Sequence, residues 1–124
     1  MDLNKGFTLL ELLVAIGIIG ILASLAIIQY VTYKQRAFDA RALSDMRNAM
    51  SAQEAYFATH ETFKDSLSQL EGFDTASPSV TVVLDNFGDR WEGSSYHPQG
   101  SKTFCYDSDT TEILELEGIA RRCS

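Results

Sequence analysis

Residues 12–28 contain no charged side chain. Leu, Ile, Val and Ala fill this run, with Gly17, Gly20 and Ser24 between them. As a helix from Phe7 to Ile28 it would be roughly 33 Å long at about 1.5 Å per residue. That length matches a bilayer hydrocarbon core of about 30 Å. A helix apolar on every side suits a membrane or the core of a bundle rather than the surface of a soluble domain. One carboxylate, Glu11, stands at its start. An acidic side chain in such a setting is costly and calls for a partner. The nearest cation is Lys5, beyond Gly6. A cut between Gly6 and Phe7 would create a second one, the α-amine of Phe7.

The residues around Glu11 carry a family resemblance. Lys5-Gly6-Phe7-Thr8-Leu9-Leu10-Glu11, followed by Leu12-Leu13-Val14-Ala15-Ile16 and Ile19-Gly20-Ile21-Leu22-Ala23, resembles the class III leader and N-terminal helix of type IV pilins and the related pseudopilins. The close match covers about the first thirty-five residues. The remainder is similar more loosely, as a long helix followed by a small strand-rich head with a late Cys pair. The resemblance implies that a prepilin peptidase cuts after Gly6 and that the new amine of Phe7 is methylated. It implies that Phe7 and Glu11 register neighbouring subunits during assembly. The implied fold is α+β, a long N-terminal helix with a small antiparallel sheet on its second half. The implied divisions are a leader at 1–6, a transmembrane or filament-core helix at 7–28, an amphipathic continuation at 29–59 and a head at 60–124.

On the same resemblance the chain is a structural subunit and not an enzyme. Although the resemblance raises calcium, which some major pseudopilins bind in their C-terminal loops, the chain is expected to need no cofactor or metal. Its partners would be other copies in a helical filament, the prepilin peptidase and the pilus assembly machinery. It would lie in the inner membrane as a precursor and then in an extracellular filament. The alternatives are a pseudopilin of a type II secretion system, in a periplasm-spanning filament, and a membrane-anchored binding module that never polymerises. One departure stands out. Many type IV pilins have Ala-Ile-Pro-Gln soon after the apolar run, and here the stretch is Ala26-Ile27-Ile28-Gln29. A proline would remove a helix hydrogen bond and bend the backbone, so Ile28 puts that kink in doubt.

Two other readings of the N-terminus start from the same residues. Met1 to Ala26 could be a secretory signal peptide with Ser24-Leu25-Ala26 as its cleavage site. Against this, Glu11 would sit within the apolar region, and the helical pattern runs on past Ala26. An uncleaved single-pass anchor would keep Lys5 on the cytoplasmic side. The formal charge of −7 over 124 residues makes generic nucleic-acid binding a poor fit, because affinity for phosphate backbones rests on basic residues.

After Ile28 the chain turns amphipathic, with no Pro or Gly until Gly72. Leu43, Met46, Met50 and Phe57 recur at helical spacing with Ala42, Ala49 and Tyr56 beside them, and predict a packing face. Lys34, Arg36, Asp39, Arg41, Asp45, Arg47 and Glu54 are assigned to the other faces. The pattern predicts one helix from about Phe7 to about Thr59. A short helix is expected at 66–70, and a loop with Pro78 at 74–79. Four strands follow by composition, at 80–84, 90–97, 102–106 and 111–116. The short turns between them favour an antiparallel meander.

Cys105 and Cys123 enclose seventeen residues near the C-terminus. In an exported head a single pair suggests a disulfide, and His97 alone is too little for a metal site. Such a bridge would pin the tail to the third strand. Asp85, Asp89, Asp107, Asp109 and Glu112 lie in or near turns. They lack the spacing of a calcium-binding EF-hand loop and read as solvated carboxylates. His60 and His97 have no nucleophile motif beside them. Phe7, Tyr30, Tyr33 and Phe38 invite an electron-carrying role by resemblance, but packing and interfacial placement explain them as well.

Overall fold

One α-helix, α1, runs from Leu9 to His60 in a computed structural model that describes residues 6–73 and 75–123. The leader positions 1–5, the loop residue Asp74 and the terminal Ser124 lie outside the described residues. The helix starts at Thr8, whose side chain caps it, and stops at Glu61, which takes a left-handed φ of 55°. It passes through Ile28 unbroken, and the Thr32 hydroxyl donates to the Ile28 carbonyl at 3.2 Å. The described residues fall into two compact units, one up to Tyr33 and one from Lys34 onward.

In the first unit every large apolar side chain from Phe7 to Val31 is exposed. Among the described residues, α1 is the one helix long and apolar enough to cross a membrane.

In the second unit α1 carries a sheet. The strands are β1 (Thr81–Asn86), β2 (Trp91–Tyr96), β3 (Lys102–Asp107) and β4 (Ile113–Glu117). They pair antiparallel in the order β1-β2-β3-β4, the meander that the short turns predict. The expected helix at 66–70 is a single 3-10 turn, Leu67–Gln69.

The register sets which side chains face the helix. Leu84, Gly93 and Tyr106 stand opposite one another across three strands, as do Val82, Ser95 and Phe104. Leu84 and Tyr106 join Met46, Ala49, Ala52, Phe63, Leu70 and Trp91 in the main core. Phe104 packs on Ala42 and Val80 in a second cluster. Trp91 is fully buried, with its ring 4.8 Å from Tyr106 and 6.4 Å from Phe63. Gly93 leaves room for this indole. A Cβ there would fall 2.8 Å from Trp91 Cζ3 and 3.3 Å from the Met46 thioether.

The buried face of α1 differs from the one expected. It consists of Asp39, Ala42, Asp45, Met46, Ala49, Ala52 and Gln53. Leu43 and Met50 are half-buried, and Phe57 lies toward solvent. Asp39 and Asp45, assigned by sequence to the other faces, point inward because the head's backbone supplies their partners. Asp39 accepts from Ser101 N–H (2.9 Å), the Ser101 hydroxyl (2.8 Å) and Lys102 N–H (3.1 Å). Asp45 accepts from Ser77 N–H (2.7 Å) and its hydroxyl (2.9 Å). Gln53 holds residue 64 at both ends of its amide: Nε2 donates to the Lys64 carbonyl (2.6 Å) and Oε1 accepts the Lys64 N–H (3.0 Å). The Ser95 hydroxyl donates to the Ala42 carbonyl. Small side chains at 42, 49 and 52 let the sheet approach closely enough for these bonds.

Two substitutions test this packing. Gly93→Ala forces the new methyl against the indole and should lower head stability by about 1–3 kcal/mol, as overpacking does. Asp39→Ala strands two backbone donors and should lower it by about 2–3 kcal/mol. Thermal unfolding followed by Trp91 fluorescence measures both. Hydrogen exchange should quicken first at Ser101 and Lys102 in Asp39→Ala.

Candidate processing and assembly site

The start of α1 is built from four residues. Gly6 is exposed, and a Cβ placed on it would meet nothing within 4 Å. Phe7 is 88% exposed and precedes the helix. Thr8 is the N-cap and Glu11 the third helical residue. The Glu11 carboxylate accepts the Thr8 N–H at 2.8 Å and the Thr8 hydroxyl at 2.9 Å. The Thr8 hydroxyl in turn accepts the Glu11 N–H at 3.2 Å. This reciprocal pair is a capping box, which satisfies two backbone donors that every helix start leaves open. The negative side chain also lies at the positive end of the helix dipole.

Thr8 is therefore a site residue that sequence reasoning missed. The signal was present as Thr8-Leu9-Leu10-Glu11, a Ser/Thr-x-x-Glu pattern directly before an apolar run. Glu11 makes no ion pair among the described residues. With Gly6 attached, the Phe7 nitrogen is an amide and carries no charge. The arrangement leaves a small, open peptide bond at 6–7, followed by a helix whose first turn is already closed by its own carboxylate.

The predicted cysteine pair is joined: Cys105 and Cys123 form a disulfide with Cα atoms 5.7 Å apart. Its setting is more elaborate than a pinned tail. Residues 118–123 form a strap over the sheet face opposite α1. The Thr103 hydroxyl donates to the Gly118 carbonyl (2.8 Å) and accepts the Ala120 N–H (2.9 Å). The Ser94 hydroxyl donates to the Arg121 carbonyl (2.8 Å). Arg122 reaches Asp85 on β1 at 3.1 Å. The strap thus crosses from β4 over β3 and β2 to the far edge, and the disulfide is one tie among several.

The turn carboxylates are not all solvated. Asp85 pairs with Arg122, and Asp107 with Arg90 at 3.2 Å. Glu92 also pairs with Arg90, at 2.6 Å, and holds its guanidinium above its ordinary pKa. Among the described residues, no three His, Cys, Asp or Glu side chains converge as metal ligands would. His60 stacks on Tyr56 at 4.0 Å. His97 is buried, stacks on Phe38 at 4.1 Å, and accepts the Gln99 N–H at its Nδ1. Phe7, Tyr30 and Tyr33 are exposed.

Residues 1–27 match the family described as the prokaryotic N-terminal methylation motif. The chain is 31% identical over 67 residues to the type IV major pilin protein PilA of Myxococcus xanthus, covering 54% of this chain and 30% of that protein. It is 46% identical over 55 residues to a fimbrial protein of Pseudomonas aeruginosa, covering 44% and 36%. It is 41% identical over 64 residues to the type IV major fimbrial protein FimA of Dichelobacter nodosus, covering 52% and 41%. The chain spans less than half the length of these three relatives. The motif and the relatives' names, major pilin and fimbrial proteins, support a type IV pilin.

The ties of the strap make a prediction. Replacing Cys105 and Cys123 by Ser should lower head stability by about 3 kcal/mol, from the loop entropy restored to the unfolded chain. The hydroxyl ties at Thr103 and Ser94 should keep the sheet paired. Hydrogen exchange should therefore rise over 118–123 well before it rises in β2 and β3.

Proposed function

We propose that this pilin-like chain is the structural subunit of a type IV pilus, made as a membrane precursor and polymerised through its N-terminal helix. The observation that carries the reading is the match of residues 1–27 to the N-terminal methylation motif, with Gly6 and Phe7 in an exposed stretch ahead of α1. In this reading a prepilin peptidase cleaves the Gly6–Phe7 bond. Glycine suits that position because it lets a protein backbone approach closely. The amine of Phe7 is then methylated, which leaves it basic. The apolar segment holds the precursor in the inner membrane and later packs with its copies in the filament core. The filament is a homo-oligomer assembled by the pilus machinery.

Glu11 has two roles in this scheme, and they are separable. Its capping box closes the helix start within one chain. Its charge, which is costly among apolar side chains (about 2.5–3.5 kcal/mol at mid-membrane on insertion scales, less near a helix end), is answered by the Phe7 ammonium of a neighbouring copy. Mispaired registers would leave two charges alone, so the pair fixes axial position among otherwise featureless apolar helices.

Intact mass of the mature subunit should show loss of residues 1–6 and one added methyl group on Phe7. A mature start at Ile27 would instead identify a signal peptide and remove the filament-core helix. Glu11→Gln keeps the capping geometry, since Gln serves at that position, but removes the charge. At matched membrane levels, sheared-fibre yield should be lowest for Glu11→Ala, intermediate for Glu11→Gln and near normal for Thr8→Val. Normal yield from Glu11→Gln together with poor yield from Thr8→Val would assign Glu11 to helix capping and end the registration idea.

A further inference from the structure

The sequence of α1 from Lys34 to Asn48 is of mixed charge, but its surface is not. Lys34, Arg36, Arg41 and Arg47 are exposed, and the two acids of the stretch, Asp39 and Asp45, are buried on backbone donors of the head. Every exposed charge between Tyr33 and Asn48 is therefore positive. None of the four cations forms an ion pair among the described residues. Such a collar is conspicuous in a chain of formal charge −7.

The opposite end of the second unit is acidic. Glu61 and Asp65 follow the end of α1, Asp89 is in the β1–β2 turn, and Asp109 and Glu112 are in the β3–β4 turn; all five are exposed. Three contacts bring them to one end. Asn86 Nδ2 donates to the Phe63 carbonyl at 2.8 Å, and Phe63 stacks on Phe57 at 4.5 Å. The Ser108 N–H donates to the Trp91 carbonyl at 3.0 Å, which ties the β3–β4 turn to the start of β2. The other sheet end lies by the collar, where His97 stacks on Phe38 and Lys102 N–H meets Asp39. From Phe38 to His60 the helix rises roughly 33 Å, so the two charges are well separated along the helix direction.

We propose that the basic collar of one copy docks on the acidic end of a second copy of this chain, in head-to-tail contact along the filament. The proposal rests on the filament reading above and adds a surface to it. Charge complementarity between two ends of one molecule makes a heterologous interface, the type that propagates into open filaments rather than closing on itself. An anionic lipid surface would satisfy Lys34 and Arg36, which follow the apolar segment in sequence. It leaves Arg41 and Arg47 unused, because they lie roughly 11 and 20 Å of helix beyond Lys34, farther than the headgroup layer of about 5–7 Å on each side of a bilayer reaches. It also leaves the acidic end without a counterpart.

The test is charge exchange in the full chain expressed in cells, with Glu11 intact. Three variants are compared at matched membrane abundance and with the Cys105–Cys123 bridge verified: Arg41→Glu/Arg47→Glu, Asp89→Lys/Glu112→Lys, and all four together. Each pair alone should cut sheared-fibre yield at least about tenfold, because like charges then face each other across the contact. The fourfold exchange should restore most of it. Wild-type fibres with normal yield from both pair variants, or no recovery in the fourfold variant, would overturn the proposal while leaving the filament reading standing. Loss of the Arg41→Glu/Arg47→Glu precursor from the membrane fraction would assign the collar to lipid and also overturn it. Absence of wild-type fibres would sink the filament reading itself.

Discussion

Two buried carboxylates and one buried amide, Asp39, Asp45 and Gln53, fix how the head sits on its helix. Each bonds to backbone, the two carboxylates to a serine hydroxyl as well, and each holds a different connecting segment: residues 101–102, residue 77 and residue 64. A buried charge is tolerable only when hydrogen-bonded or paired. Here the bonds are charge-assisted and come from N–H groups that also need partners. The need is mutual, so shifting the helix by one residue would leave both sides unsatisfied. Apolar packing alone would not impose that register, since Ala42, Ala49 and Ala52 present nearly interchangeable surfaces.

The sheet follows from this arrangement. Small residues on the helix bring the strands near, so the sheet must be small where it meets the helix. Gly93 and Ser95 on β2 meet that demand, and Trp91 uses the space Gly93 leaves. The other face of the sheet is covered by a strap only six residues wide, at 118–123. A short strap buries little apolar area, which is why it depends on directional ties at Thr103 and Ser94 and on the disulfide. Leu114 on β4 stays 58% exposed beside it.

The N-terminal unit is governed by a different economy. Its large apolar side chains are exposed from Phe7 to Val31. A helix satisfies its own backbone polarity except at its ends, and the Thr8–Glu11 box does so at the first turn. Ser24 and Thr32 likewise return their hydroxyls to helix carbonyls.

Composition and period alone determined the long apolar segment, the helix that continues it, the four-strand meander and the capacity of Cys105 to join Cys123. These are local properties: a 3.6-residue or two-residue repeat, a turn composition, a chain with a single pair of cysteines. The capping box was equally local, written in four adjacent residues. The inward turn of Asp39 and Asp45 was not legible. Their partners are main-chain N–H groups 32 to 63 residues away, and nearly every residue has such a group, so sequence marks none of them as special. The sorting of charge into a basic collar and an acidic end depends on that same burial, as does the strap's path over Thr103 and Ser94. Only the folded chain decided these, because they rest on which backbone atoms the tertiary packing brings within reach.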